Sequence, residues 1–210
     1  AVRVFTTESP ERRERYGLQC LVRQIVQTQG AAIELRVLQY GATRELLEDV
    51  LEEGEGWDIV HLSGHGTEGA LLLEDGEGGN DIIAADALGE LLAPTRARLK
   101  LLILDACYSG VGNHRAARAQ LGLEPPTRQE GAEGDPVDET AQTALPGLAQ
   151  ALSTRLDCAA LAMRYPVGDG FATDLMLALY DKLLRQGQGL PGALQLALDD
   201  ALGADVTRPP

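Results

Sequence analysis

The stretch KLLILDACYSG, Lys100 to Gly110, decides the fold class. Leu101 to Leu104, with Ala106, form a short apolar run that leads into Cys107 and is closed by Tyr-Ser-Gly. An unbroken apolar run bounded by turn residues reads as a strand buried on both faces, the usual state in a parallel sheet. WDIVHLSGHG, Trp57 to Gly66, ends in a comparable way and sets His65 between two glycines. The chain between them is long enough for a crossover that lays the two strands side by side. In open parallel sheets, ligands and chemistry sit just beyond the carboxyl ends of the strands. A thiol and an imidazole there are the two parts of a cysteine nucleophile with its base.

Outward from this pair, the chain alternates strands with helices. Val2 to Thr6 is β-rich, and Leu18, Leu21, Val22 and Ile25 give the following helix one apolar face before Gly30 stops it. Ala32 to Leu38 alternates Ile33, Leu35 and Val37 with polar residues, which suits a strand nearer the sheet edge. Thr43 is a good N-cap for a helix striped by Leu46, Leu47, Val50 and Leu51, ended by Gly54 and Gly56. After His65, Ala70–Glu74 and Asn80–Ile83 read as a small hairpin outside the main sheet, and Asp86–Leu92 as a short helix closed by Pro94. Beyond the cysteine, Leu148–Leu156 reads as a helix and Ala159–Tyr165 as another buried strand. Phe171, Leu175, Leu179 and Leu183 repeat every four residues, as do Leu190, Leu194, Leu198 and Leu202, marking two amphipathic helices. The fold class is therefore α/β, a doubly wound and mostly parallel sheet flanked by helices.

Residues 111–146 break this pattern. They carry Pro125, Pro126, Pro136 and Pro146 among several acids, without periodicity. A segment of this length and composition is either a functional flap or disordered, and a mobile acidic loop is expected over 111–146.

The 210 residues suit one domain with a sizeable core, and 44% hydrophobic residues exclude a disordered chain. Lys plus Arg number 18 against 32 Asp plus Glu, a net charge of −14, which disfavours binding of nucleic acid and of anionic membranes. Basic peptide segments would be attracted. No apolar run is long enough to span a bilayer, and no basic-then-apolar signal peptide is present. Cys20, Cys107 and Cys158 make an odd count without metal-ligand spacing, so the expected setting is reducing and cytoplasmic. Cys20 and Cys158 read as small buried residues. The first residue is not Met and the last three are Arg208-Pro209-Pro210, so a single domain over residues 1–210, excised from a larger multidomain protein, is expected.

Taken by themselves, the residues leave two readings of the pair. Cys107 and His65 are a nucleophile and base, or a buried cysteine and a satisfied loop histidine. Gly66 and Gly110 bear on the first, because a reacting carbonyl must approach backbone N–H groups closely. Single Cys and His residues are weak signals, and the second stays open. His61 shares a strand face with Ser63 and His65 but lies below the strand end, where a packed core histidine is expected. His114 falls in the loop and is expected to be solvated. Asp169 follows the last strand and either lines a substrate groove or opens a helix. The glycines around His65 match no phosphate-binding fingerprint, and His61 with His65 would need a helix to share a metal. No cofactor and no metal are expected.

HLSGHG and LDACYSG resemble the two catalytic motifs of the caspase-like cysteine peptidases, the group of caspases, metacaspases, separases and clostripain. The later stretch from Gly147-Leu-Ala-Gln-Ala-Leu through Ala160-Leu-Ala-Met-Arg-Tyr-Pro-Val-Gly-Asp is similar to the CHAT domain, their bacterial branch. The resemblance covers nearly the whole chain. It implies that His65 is the catalytic proton shuttle, that Cys107 is the nucleophile, and that the Gly66 and Cys107 N–H groups form the oxyanion hole. It implies a cysteine endopeptidase acting on protein substrates by acyl transfer. It also implies a sensor or regulatory domain as partner, in a bacterial defence or programmed-death system. No third residue that orients His65 is obvious. A non-cleaving peptide-binding module of the same fold is the alternative, with a small-molecule binder on this fold class the weakest reading.

Specificity is expected to turn on Asp105, with Ser109 and Asp169 as further substrate-binding candidates. Asp105 is two residues before Cys107, so strand alternation puts them on one face. The string DACYSG is closer to metacaspases and clostripain, where an acid here accompanies cleavage after Arg or Lys, than to the many CHAT relatives with a small residue. Either Asp105 receives the basic side chain of the substrate, or a resident cation such as Arg164 already neutralises it.

Overall fold

The computed structural model describes residues 1–7, 12–38, 42–67, 69–77, 79–106, 147–165 and 167–206. Within the Lys100–Gly110 stretch the expected buried strand is present over Leu101–Asp105, in a five-stranded parallel sheet. Its strands are β1 (Val2–Thr7), β2 (Ile33–Leu38), β3 (Ile59–Ser63), β7 (Leu101–Asp105) and β8 (Ala159–Ala162), in the order β2-β1-β3-β7-β8. All four neighbouring pairs are parallel. The intervening β4 (His65–Thr67), β5 (Ala70–Glu74) and β6 (Asn80–Ala84) form a separate antiparallel sheet. The predicted hairpin is thus present, and the His65 segment adds a third strand to it.

Helices cover both faces, as a parallel sheet requires. Against one face lie α2 (Arg44–Leu51), α3 (Ala85–Leu92) and α4 (Leu148–Leu156), closing a core around Phe5, Leu47, Trp57, Val60, Leu62, Leu102, Leu104 and Leu152. The other face carries α1 (Arg12–Gln29), α5 (Asp169–Tyr180, continued by a π-helical turn over Asp181–Arg185) and α6 (Leu190–Val206). Its core holds Val4, Leu18, Ile59, Leu101, Ile103, Met176 and Leu179. Successive strand residues alternate between these cores, so odd-numbered residues of β3 and β7 point toward α1, α5 and α6.

Polar ties pin the amino ends of the strands. The buried Asp58 carboxylate accepts from the Arg3 N–H at 2.9 Å, from Arg98 Nε at 2.9 Å and from Lys100 Nζ at 2.8 Å. These donors hold its carboxyl below the usual range against the opposing effect of burial. The Trp57 indole N–H donates to the Val50 carbonyl at 2.9 Å, and Thr43 caps α2 by accepting from the Leu46 N–H.

Several expectations from the sequence need correction. The strand predicted over Ala159–Tyr165 ends at Ala162 and is only half-buried, because β8 is an edge strand paired on one side. Cys20 is exposed and Cys158 half-buried: Cys20 lies across α1 from the Leu18–Val22–Ile25 stripe. Leu46 is 41% exposed, so the apolar stripe of α2 rests on Leu47, Val50 and Leu51. On α6 the buried positions are Ala193, Ala197 and Ala201, whereas Leu198 and Leu202 are exposed. The side chains small enough for close approach face α5; Leu190 and Leu194 pack beside them at the margin of this core, and the leucine row turns out to solvent at Leu198 and Leu202. The 111–146 segment lies outside the described residues, as does the mobility expected of it.

Candidate active site

β3 and β7 are neighbours in register, with Ile59 opposite Leu101 and Ser63 opposite Asp105. The two motif strands therefore end side by side. Beyond Ser63 the chain leaves the sheet at Gly64, whose N–H donates to the Asp105 carbonyl at 3.1 Å. His65 follows at once, exposed, and its backbone pairs with Leu72 in the small sheet. Gly66 is opposite Leu71 in the same ladder. The His65 position is thus held from two sides, by the Gly64 bond to β7 and by the β4–β5 pairing.

A third tie comes from β1. The β1–β3 ladder ends at Thr6 opposite His61, which leaves Ser63 facing β1 without a backbone partner. The buried Thr7 hydroxyl takes that place: it accepts from the Ser63 N–H at 2.8 Å and donates to the Ser63 carbonyl at 3.1 Å. One side chain thereby satisfies both backbone groups of the residue that ends the histidine strand.

Cys107 and Ser109 lie outside the described residues; the described part of this edge stops at buried Ala106, directly before the cysteine. His114 and Gly110 also lie outside them. Asp105 is partly buried, and burial together with the Asp169 carboxylate pushes its carboxyl up to about 6. The structure therefore brings together two of the acids that the sequence nominated, Asp105 at the end of β7 and exposed Asp169 in the first turn of α5. The guanidinium of Arg164 lies 5.8 Å from the centre of the Tyr165 ring.

Below Asp105 on the same face is a polar group that the sequence reading only half identified. His61 is fully buried, as expected of a core histidine, and burial pushes its imidazole down to about 3. Among the described residues neither ring nitrogen has a hydrogen-bond partner, at a cost of about 1–3 kcal/mol for each buried polar group left unsatisfied. Nδ1 is 3.7 Å from a carboxylate oxygen of Glu14, itself 5% exposed, on α1. The Tyr180 ring is tilted against His61 with centroids 5.9 Å apart, and its buried hydroxyl also lacks a partner among the described residues. Burial first, and then the Glu14 and Asp105 carboxylates, raise the Tyr180 hydroxyl well above its ordinary pKa. Glu14 was missed, yet the signal was there: it stands four residues before Leu18, on the apolar stripe of α1, where an acid needs a reason.

The sequence model of the CHAT domain family matches residues 13–208. The chain belongs to the CHAT domain family. The match spans both motif strands and all six helices apart from the first residue of α1, and leaves only β1 of the described strands outside it. It places the chain among the caspase-like peptidase families. No curated protein sequence matches it. Among the described residues, no helix is long and apolar enough to cross a membrane.

Proposed function

We propose that this CHAT domain is a cysteine endopeptidase that cleaves protein substrates after Arg, and more weakly after Lys. His65 takes the proton of the Cys107 thiol, the thiolate attacks the peptide carbonyl, and the Gly66 and Cys107 N–H groups bind the resulting oxyanion. His65 returns the proton to the leaving amine. Water, deprotonated by the same imidazole, then hydrolyses the thioester and frees Cys107.

The observation that carries this reading is the Asp105 carboxyl, partly buried at the end of the strand that leads into Cys107 and raised to about 6 by burial and by Asp169. A carboxylate so placed is relieved by an arriving guanidinium, which can pair with it through two parallel N–H donors. Ammonium offers a point charge in place of that fork, so Lys is the weaker substrate. Asp169, and Ser109 beyond the nucleophile, would line the same pocket. The −14 net charge favours basic segments on approach. A sensor domain, in the same or an associated chain, would switch the peptidase on in a bacterial defence or death response within the cytoplasm.

An electrophilic peptide ketone with Arg next to the reactive group tests the assignment. It should label Cys107 in the activated protein, and the matching ketone with Asp should not. Asp105→Asn should lose the preference for Arg while Cys107 still reacts with a small unselective thiol reagent. Equal labelling by both ketones would remove the specificity assignment. Absence of any adduct under every activating condition would favour a peptide-binding module that does not cleave.

A further inference from the structure

Glu14, His61 and Asp105 come from three elements, α1, β3 and β7, and one ligand atom from each lies within 4.8 Å of the other two. The histidine between the two acids is fully buried, with both ring nitrogens lacking hydrogen-bond partners among the described residues. A buried imidazole on a packed strand normally finds a donor or acceptor, or is replaced by an apolar residue. Here it faces a nearly buried glutamate at 3.7 Å, too far for a hydrogen bond and near the spacing of two ligands around one ion.

We propose that Glu14, His61 and Asp105 bind one divalent metal ion, with Zn2+ the best fit. Zinc takes imidazole nitrogen and carboxylate oxygen at about 2.0–2.2 Å, which sets ligand atoms roughly 3.3 Å apart in a tetrahedron. The His61–Glu14 pair at 3.7 Å is already close to that spacing, and atoms up to 4.8 Å apart need a closure of up to about 1.5 Å, within reach of side-chain torsions. Imidazole argues against Ca2+ and Mg2+, which prefer oxygen alone. The fourth position falls to water or to substrate. Entry is from the carboxyl edge of the sheet, where Asp105 is partly exposed. Because Asp105 is shared, a bound ion and an Arg side chain compete for it, so Zn2+ would inhibit the cleavage proposed above. Binding itself does not depend on that reading.

The dyad must be kept from supplying its own metal site. The full chain carrying Cys107→Ala and His65→Ala is stripped with a chelator and titrated with Zn2+ against a chromophoric competitor. Co2+ serves as a spectroscopic probe of tetrahedral nitrogen–oxygen ligation. One ion per chain is expected, with affinity falling by at least about 100-fold in Glu14→Gln, because losing a ligand costs more than losing an outer partner. Glu14→Gln preserves shape, so its circular dichroism should match the parent; His61→Leu should weaken binding as strongly. Failure of the parent to bind Zn2+, or undiminished binding in Glu14→Gln, overturns the site. Cleavage enters neither outcome, so the metal site and the peptidase reading fail separately.

Discussion

Replacing Thr7 by Val should loosen the histidine strand while preserving side-chain shape. The Thr7 hydroxyl is the partner of both the N–H and the carbonyl of Ser63, at 2.8 and 3.1 Å, where the β1–β3 ladder has already ended. Val leaves two backbone groups without a partner at a partly buried position. A buried group left unsatisfied costs about 1–3 kcal/mol, and water can reach part of this edge, so roughly 2–3 kcal/mol in all is expected. With a urea slope of about 2–3 kcal/mol/M, the unfolding midpoint should fall by roughly 1 M. Thr7→Ser keeps the hydroxyl and should remain near the wild-type midpoint, which separates hydrogen bonding from methyl packing. Since His65, the base in the function proposed above, is two residues beyond Ser63, labelling of Cys107 by an Arg ketone should slow in Thr7→Val by up to about 100-fold, the cost of displacing a reacting group by about 1 Å. A wild-type midpoint for Thr7→Val, or a loss in Thr7→Ser as large as in Val, would refute the role given to the hydroxyl.

Two further outcomes follow from the scaffold. The Asp58 carboxyl is held below its ordinary pKa, so the unfolded chain binds more protons in that range; the stabilisation is complete above about pH 3.9 and is lost as pH falls through the lower folded value. Asp58→Asn should therefore be destabilised at pH 7 and converge on wild type in acid, and a difference that persists unchanged to pH 2 would contradict this. On α6, Ala197→Leu should cost about 1–3 kcal/mol by overpacking against α5, while Leu202→Gln, on the exposed flank, should stay within about 0.5 kcal/mol of wild type in a thermal melt.

Much of the architecture was legible without coordinates because local rules fix it. The apolar run Leu101–Leu104, and Ile59, Val60 and Leu62 around His61, are buried on both faces, as in a parallel sheet with helices on either side. Gly30, with φ of +64°, and Thr43, with its bond to the Leu46 N–H, ended and started helices where the sequence said they would. Periodicity names an amphipathic helix but not the side that packs, and on α6 the alanines won because helix approach rewards small volume.

The site divides in the same way. Sequence alone set Asp105 at a strand end beside the histidine strand, because strand order and alternation carry that far. Only the tertiary structure decided what surrounds it. Asp169 approaches from α5, Glu14 from α1, and Thr7 finishes a ladder that β1 could not reach with its backbone. These contacts join residues distant in the chain, and their chemistry depends on burial, which no local pattern specifies. A histidine in an apolar strand reads as packing; the same histidine, buried between two carboxylates with both nitrogens lacking hydrogen-bond partners among the described residues, reads as a ligand.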